Sequence, residues 1–203
     1  MNIYIVRHGA TEWNDKELVQ GNIDLPLSSK GKEDVRKTAE YLKSIDFKSV
    51  FTSGMLRSKE TGKIIADKKG IKTIISIPEL NELDCGEWEG LSMEEVREKK
   101  GEEYQNLLKS PDYKIPGGES FHDVVHRFKI GWEKLMEKSK GENIVFVSHI
   151  VITRAFLYLN LGISYSSIRN FIINNGSVSM FEFDKNRYFM KLWNYLPYKN
   201  EIL

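Results

Sequence analysis

The sequence predicts an α/β fold: a three-layer sandwich in which a mainly parallel sheet has helices on both faces and carries a small helical cap. Short apolar runs typical of buried strands alternate with longer stretches whose apolar residues recur at helical spacing. Such alternation is typical of parallel strands joined by helices. A length of 203 residues suits one domain. We therefore expect one domain over residues 1–203, with a cap insertion at about 91–120.

The first half of the chain predicts three strands and two helices. Residues 3–6 form the first strand and residues 49–53 the second. Between them, apolar residues recur at helical spacing over 35–45. A helix is expected over 55–69 because a glycine, a common helix stop, follows it. The third strand spans 73–77 and is closed by a proline.

Two strong helix starts follow the third strand. Ser92 has Glu95 three residues later, which is a capping box, and Ser120 with Asp123 resembles one. An apolar stripe at helical spacing then runs over 121–136. These signals predict helices in the region before the fourth strand.

The rest of the chain predicts a strand, a helix and a hairpin. Residues 144–147 form a buried strand, and a helix over 150–161 stops at a glycine. Residues 177–183 and 188–195 are expected to pair as a β-hairpin around the turn 184–186.

Composition argues against several classes of protein. Thirty basic and 29 acidic residues leave a net charge of +1, which gives no support to a nucleic-acid binder. No apolar run approaches the ~18 residues of a membrane span. The one cysteine, Cys85, excludes an intrachain disulfide. The start lacks the layout of a signal peptide, so we expect a cytoplasmic protein without nucleic-acid or membrane partners.

Two of the four histidines lie just past the ends of predicted strands. His8 comes after the first strand and His149 after the fourth. In open α/β sheets, ligands bind at the carboxyl edge of the strands. Arg7 precedes one histidine and the start of a helix follows the other, and both features suit an anion.

The strongest motif is the string from Arg7 to Asn14, Arg-His-Gly-Ala-Thr-Glu-Trp-Asn. Gly9 would let backbone approach a ligand closely. The amide of Asn14 can donate to an oxygen. An isolated Arg-His pair would suggest only a strand end, but the full string indicates a binding site.

This string resembles the R-H-G-x-T-x-x-N signature of the histidine phosphatase superfamily, which includes the cofactor-dependent phosphoglycerate mutases. Further family blocks appear in the expected order over about residues 1–180. They are Gln20-Gly21 with 24–28 and Gly31, 53–61 with Arg57, 80–90 with Glu82, 116–120, and 147–149 with His149.

The resemblance implies a role for each candidate residue. The implied catalytic residues are His8 as the nucleophile that forms phosphohistidine, Glu82 as general acid and base, and His149. The implied phosphate ligands are Arg7, Asn14, Arg57 and His149, and the implied contacts to the rest of the substrate are Gln20, Gly21 and Ile150. Fixed cations and donors would stabilise the phosphoryl charge, so no cofactor and no metal are expected.

Three departures from the family pattern bear on function. Ile150 and Val151 stand where a Gly-Gly pair is common, yet their backbone amides remain for phosphate binding. Cys85 either faces the pocket or is a small buried hydrophobe, and the sequence leaves both open. The mutase insert and its signature are missing after Glu82, which favours a phosphatase.

His122 and His126 lie one helical turn apart, as in zinc-binding helices. However, the zinc motif has Glu where Asp123 stands, and no third ligand follows at a recognised spacing. The pair therefore does not change the expectation of no metal.

The expected function is metal-independent hydrolysis of a small phosphorylated metabolite by a phosphoric monoester hydrolase. Among family members, the chain looks most like the short phosphatases acting on α-ribazole 5′-phosphate or phosphoserine. One alternative is a phosphoglycerate mutase. Another is a non-catalytic phosphate-binding module, which should have lost His8 or Glu82. The sequence does not fix the substrate, the pathway or the oligomeric state, for which a homodimer is one candidate.

Overall fold

A computed structural model of the chain describes residues 1–199. Within these residues a six-stranded sheet has the order β3-β2-β4-β1-β5-β6. Its strands are β1 Asn2–Arg7, β2 Ser49–Thr52, β3 Ile74–Ser76, β4 Ile144–Ser148, β5 Val178–Asp184 and β6 Arg187–Tyr195. The pairs β2–β3, β2–β4 and β1–β4 are parallel, whereas β1–β5 and β5–β6 are antiparallel. The predicted mainly parallel α/β sheet is confirmed.

The described chain contains each predicted helix and three short ones that the sequence signals did not separate. The helices are α1 Glu12–Asp15, α2 Ser29–Leu42, α3 Leu56–Lys69, α4 Met93–Lys99, α5 Gly101–Lys109, α6 Phe121–Ser139, α7 Ile150–Leu161 and α8 Tyr165–Ile168. Both predicted capping boxes, at Ser92 and Ser120, are formed. The first long helix begins earlier than the apolar spacing suggested, because Ser28 caps it by accepting from the Gly31 amide.

The three layers follow from the alternation of side chains along β1. Ile3 and Ile5 pack into one hydrophobic cluster with residues of α6 and α7. Tyr4 and Val6 point to the opposite face and pack with residues of α2 and α3. Successive side chains of a strand face opposite sides of the sheet, so each of the two helical layers covers one face.

The predicted hairpin is formed by β5 and β6. Lys185 and Asn186 both have positive φ values, +46° and +61°, as the two central residues of a type I′ turn require. The hairpin extends the sheet because β5 pairs with β1, with Val6 opposite Val178. The sequence did not predict this docking, which makes that side of the sheet antiparallel.

The carboxyl ends of the central strands meet at one edge. β1 and β4 are adjacent and in register, with Arg7 opposite Ser148. His8 and His149, the next residues of each strand, therefore emerge side by side. No helix of the described chain is long and apolar enough to cross a membrane.

The stretch predicted to form a cap contains α4 and α5. The carbonyl oxygens of Leu107 and Leu108 at the end of α5 accept hydrogen bonds from Tyr165 and Arg169. These bonds fix α5 against the segment after α7. The boundaries of a cap and of a single domain stay a prediction.

Candidate active site

A cavity of about 470 Å³ opens at the carboxyl edge of the sheet. The predicted site residues that line it are Arg7, His8, Asn14, Gln20, Gly21, Arg57, Glu82 and Ile150. From the predicted cap, only Met93 reaches its wall within the described chain. His149 lies behind the wall, with its ring centroid 5.1 Å from that of His8.

His8 is positioned with one ring nitrogen free. The residue is 3% exposed, and its Nδ1 lies 2.8 Å from the carbonyl oxygen of Gly9. A carbonyl only accepts, so Nδ1 carries the proton and Nε2 keeps its lone pair. Burial lowers the pKa of His8 well below its ordinary value, and the charges of Arg57 and Arg7 lower it further. The side chain is thus a neutral imidazole with an available nucleophilic nitrogen.

Gly9 has a packing role in addition to the one expected. A Cβ at this position would lie 2.5 Å from Val35 Cγ2 and 2.9 Å from the Gly31 carbonyl oxygen, both on α2. Because Gly9 has no side chain, α2 can pack closely against the end of β1. This packing fixes the backbone that holds His8.

Arg57 is buried and anchored by a loop. Its Nη1 donates to the carbonyl of Ile23 at 2.9 Å, and its Nη2 donates to the carbonyl of Gly21 at 2.8 Å. Gly21 adopts φ +51°, and a Cβ there would lie 2.3 Å from an oxygen of Glu89. Gly21 is therefore required by the loop that orients the guanidinium.

Arg7 brings a second positive charge to the cavity. Its Nη1 donates to the carbonyl of Ile173 at 2.6 Å. Burial lowers the pKa of Arg7 to about 10, and the nearby Glu82 opposes this shift. The group remains charged at neutral pH, as an anion site requires.

Asn14 lines the cavity, and the oxygen of its side-chain amide is already hydrogen-bonded. Its Oδ1 accepts from the Thr11 amide at 3.2 Å and from Asn175 Nδ2 at 3.1 Å. With the oxygen occupied, the NH₂ group is left to donate to a ligand. Asn175 also donates to the His8 carbonyl at 3.1 Å and lines the cavity.

His149 is fully buried and bound to Ser53, whose Oγ lies 2.7 Å from its Nε2. Its Nδ1 has no hydrogen-bond partner in the described chain. Burial lowers the pKa of His149 well below its ordinary value, and the charge of Arg57 adds to this effect. His149 is therefore neutral beside His8.

Glu82 occupies the start of α7. Its Oε2 accepts from the Ile150 amide at 2.9 Å, and its Oε1 accepts from the Val151 amide at 3.1 Å. A helix N-terminus attracts an anion, here a side chain of the same protein. The two amides that the sequence suggested as phosphate ligands therefore orient the carboxylate of Glu82 in this structure.

Gln20 lines the cavity, yet both ends of its amide are used internally. Its Oε1 accepts from the Thr11 hydroxyl at 2.9 Å, and its Nε2 donates to the Ile23 carbonyl at 3.2 Å. Because Ile23 also accepts from Arg57, Gln20 helps to fix the loop that anchors this arginine.

Sequence reasoning missed Arg154 and Asn175, which both line the cavity. Helical spacing could have found Arg154, because it lies one turn after Ile150 on α7. No local signal marks Asn175. The open question about Cys85 is answered: it is partly buried and lines the cavity, and burial raises the pKa of its thiol.

The described residues contain no group of three or more His, Cys, Asp or Glu side chains that could hold a metal ion. Nδ1 of His122 lies 2.7 Å from Asp112, and neither residue lines the cavity.

Comparison with known proteins gives a consistent result. Residues 3–196 match the model of the histidine phosphatase superfamily, branch 1. Phosphoserine phosphatase 1 of Hydrogenobacter thermophilus is 30% identical over 188 residues, which cover 92% of this chain and 89% of that protein. The probable phosphoglycerate mutase GpmB of Enterobacter sp. (strain 638) is 27% identical over 194 residues, 95% of this chain and 90% of that protein. The fold resembles the crystal structure of the α-ribazole phosphatase from Shigella flexneri, with a TM-score of 0.84, 24% identity and 96% of each chain covered.

Proposed function

The chain belongs to the histidine phosphatase superfamily, branch 1, and on that premise we propose that it hydrolyses a small phosphomonoester through a phosphohistidine on His8. One observation carries this proposal. The imidazole of His8 is neutral, and its Nδ1 donates to the carbonyl oxygen of Gly9. The other ring nitrogen, Nε2, therefore keeps a free lone pair with which it can attack phosphorus. The family and the phosphoserine phosphatase relative support a phosphoric monoester hydrolase.

In the first step, Nε2 of His8 attacks phosphorus and the bond from phosphorus to the ester oxygen breaks. Arg7, Arg57 and the NH₂ group of Asn14 would stabilise the charge on the phosphoryl oxygens. The leaving alkoxide takes a proton from Glu82, which ends the step ionised.

In the second step, water attacks the phosphohistidine and gives its proton to Glu82. The phosphorus–nitrogen bond breaks and restores the neutral His8. Protonated Glu82 and free phosphate complete the cycle, so no electron donor and no metal is needed to balance it. Because α7 amides hold the carboxylate at the cavity wall, one group can serve both proton transfers.

Hydrolysis rather than mutase chemistry is proposed because the mutase signature is missing after Glu82. Mutase chemistry is the alternative, and it is supported by the similarity to a relative named a probable phosphoglycerate mutase. Since 90% of that relative is covered, chain length does not separate the two activities. A purely phosphate-binding role is disfavoured because His8 and Glu82 both line the cavity.

The test offers the purified protein a panel of phosphomonoesters and measures free phosphate. In parallel, 3-phosphoglycerate is supplied with and without 2,3-bisphosphoglycerate, and both phosphate and 2-phosphoglycerate are followed. We expect phosphate release to dominate. Interconversion of the phosphoglycerates far faster than any phosphate release would establish the mutase instead.

A further inference from the structure

We propose that Arg154 is a specificity-determining residue that binds a carboxylate of the substrate, and that the substrates are short-chain acids carrying a phosphate ester. This inference rests on the proposed function, because it concerns the part of the substrate that is not transferred. Arg154 lies on α7 and lines the same cavity as His8.

The guanidinium of Arg154 differs from those of the other cavity arginines in its contacts. Arg7 donates to the carbonyl of Ile173, and Arg57 donates to that of Gly21. Within the described chain no group accepts a hydrogen bond from Arg154. Its Nε is buried without a partner, as are those of Arg7 and Arg57, so the difference lies in the terminal nitrogens of the guanidinium. Leaving donors of a charged group unpaired is unfavourable. An anion entering the cavity would supply the missing acceptors.

Arg154 occupies a different position in the cavity from Arg7 and Arg57. After burial, the charges of Arg57 and Arg7 lower the pKa of His8, whereas the charge of Arg154 lowers the pKa of Arg7 and the nearby Glu82 opposes the lowering of the pKa of Arg154. α7 begins at Ile150, and Arg154 follows four residues later, about 6 Å along the helix axis. The cavity therefore holds a further cationic position about one helical turn beyond the Ile150 amide that binds Glu82.

A carboxylate fits this position better than a second phosphate. The planar guanidinium can bind both oxygens of a carboxylate. Glu17 also lines the cavity, and its charge repels a dianion more than a monoanion. A volume of about 470 Å³ favours a small substrate.

The test compares two pairs of esters that differ in the carboxylate: O-phosphoserine with O-phosphoethanolamine, and 3-phosphoglycerate with glycerol 3-phosphate. Wild type should prefer the acid in at least one pair. Arg154→Met should lower kcat/KM for that acid by about 10- to 100-fold, the range expected for a charged hydrogen-bonded pair. Its effect on the partner ester and on p-nitrophenyl phosphate should stay below about threefold, which also shows that the variant is folded.

Two further variants sharpen the result. Arg154→Lys keeps the charge but not the planar fork, so it should fall between wild type and Arg154→Met. Arg36→Met, on α2 and away from the cavity, should leave every substrate unchanged.

Equal losses for all esters, or no preference for the acid in either pair, would overturn the role of Arg154 while leaving the phosphatase intact. 2,3-Bisphosphoglycerate is assayed in parallel, and a loss confined to this ester would also overturn the role of Arg154, because Arg154 would then bind a second phosphate. If the wild-type protein hydrolyses none of these esters, including p-nitrophenyl phosphate, both the proposed function and this inference are wrong.

Discussion

Ser53 Oγ lies 2.7 Å from Nε2 of His149, and both residues are fully buried. The same oxygen also accepts from the Met55 amide at 3.3 Å, which holds the hydroxyl in place. Ser53 therefore fixes the orientation of the His149 ring beside His8.

Replacing Ser53 with Ala should reduce both stability and turnover. The Nε2 of His149 would lose its buried partner, which costs about 1–3 kcal/mol of unfolding free energy. Urea unfolding and kcat on one ester measure the two effects. Ser44→Ala, at an exposed hydroxyl, is the matched control and should change stability by less than about 0.5 kcal/mol. Full turnover in Ser53→Ala would contradict the orienting role.

Replacing His8 with Ala should lower turnover by several orders of magnitude, because a covalent nucleophile has no substitute. In wild type, rapid-quench mass spectrometry should find acid-labile, base-stable phosphate on His8 during turnover. Phosphate trapped only on His149 would show that the two histidines had been assigned the wrong roles.

Glu82→Gln should slow hydrolysis of alkyl phosphates strongly. The amide oxygen of Gln can replace one carboxylate oxygen and accept from the Ile150 amide, whereas its NH₂ group cannot accept from the Val151 amide. The variant should therefore lose its proton transfer and one of the bonds that orient the side chain. In single-turnover phosphorylation, the variant should lose much less rate with p-nitrophenyl phosphate than with an alkyl phosphate, because the p-nitrophenolate leaving group needs no proton. Equal losses on both substrates would argue against a general acid.

Stability should fall as the pH decreases below about 6.5, the ordinary pKa of histidine. The pKa values of His8 and His149 are lowered by burial, so between the folded and unfolded pKa values the unfolded chain binds more protons. Protonation then favours unfolding, by on the order of 1 kcal/mol per pH unit for each histidine. Urea unfolding from pH 7.5 to pH 5 measures the slope.

Removing one buried histidine should flatten that slope. His149→Asn is the test variant, and His122→Gln removes a histidine outside the cavity as its control. If His149→Asn leaves the slope of unfolding free energy against pH unchanged, the buried neutral form of His149 does not contribute to the pH dependence of stability.

Exhaustive treatment with EDTA should leave hydrolysis intact. Arg7 and Arg57 are fixed cations at the cavity and can neutralise the phosphoryl charge that a metal neutralises in other enzymes. Phosphate release is measured before and after chelation. Activity that is lost on chelation and restored by zinc or magnesium would overturn the metal-independent mechanism. His122 and His126 would then become candidate metal ligands.

Much of the site could be predicted because its signals are local. The string from Arg7 to Asn14 is continuous, and the ends of the apolar runs before His8 and His149 mark strand ends without any knowledge of pairing. Asn175 could not be found in this way. It reaches Asn14 only because β5 docks against β1, which brings together residues 161 positions apart.

The sequence by itself determined the strands, most of the helices and the residue types at the carboxyl edge, because periodicity and caps act over a few residues. Only the tertiary structure decided which nitrogen of His8 is free, that Glu82 rests on the α7 amides, and that Arg154 lacks a partner. These facts depend on strand order and on contacts between distant segments. Such contacts are set by the packing of the whole sheet and its two helical layers, which no local pattern encodes.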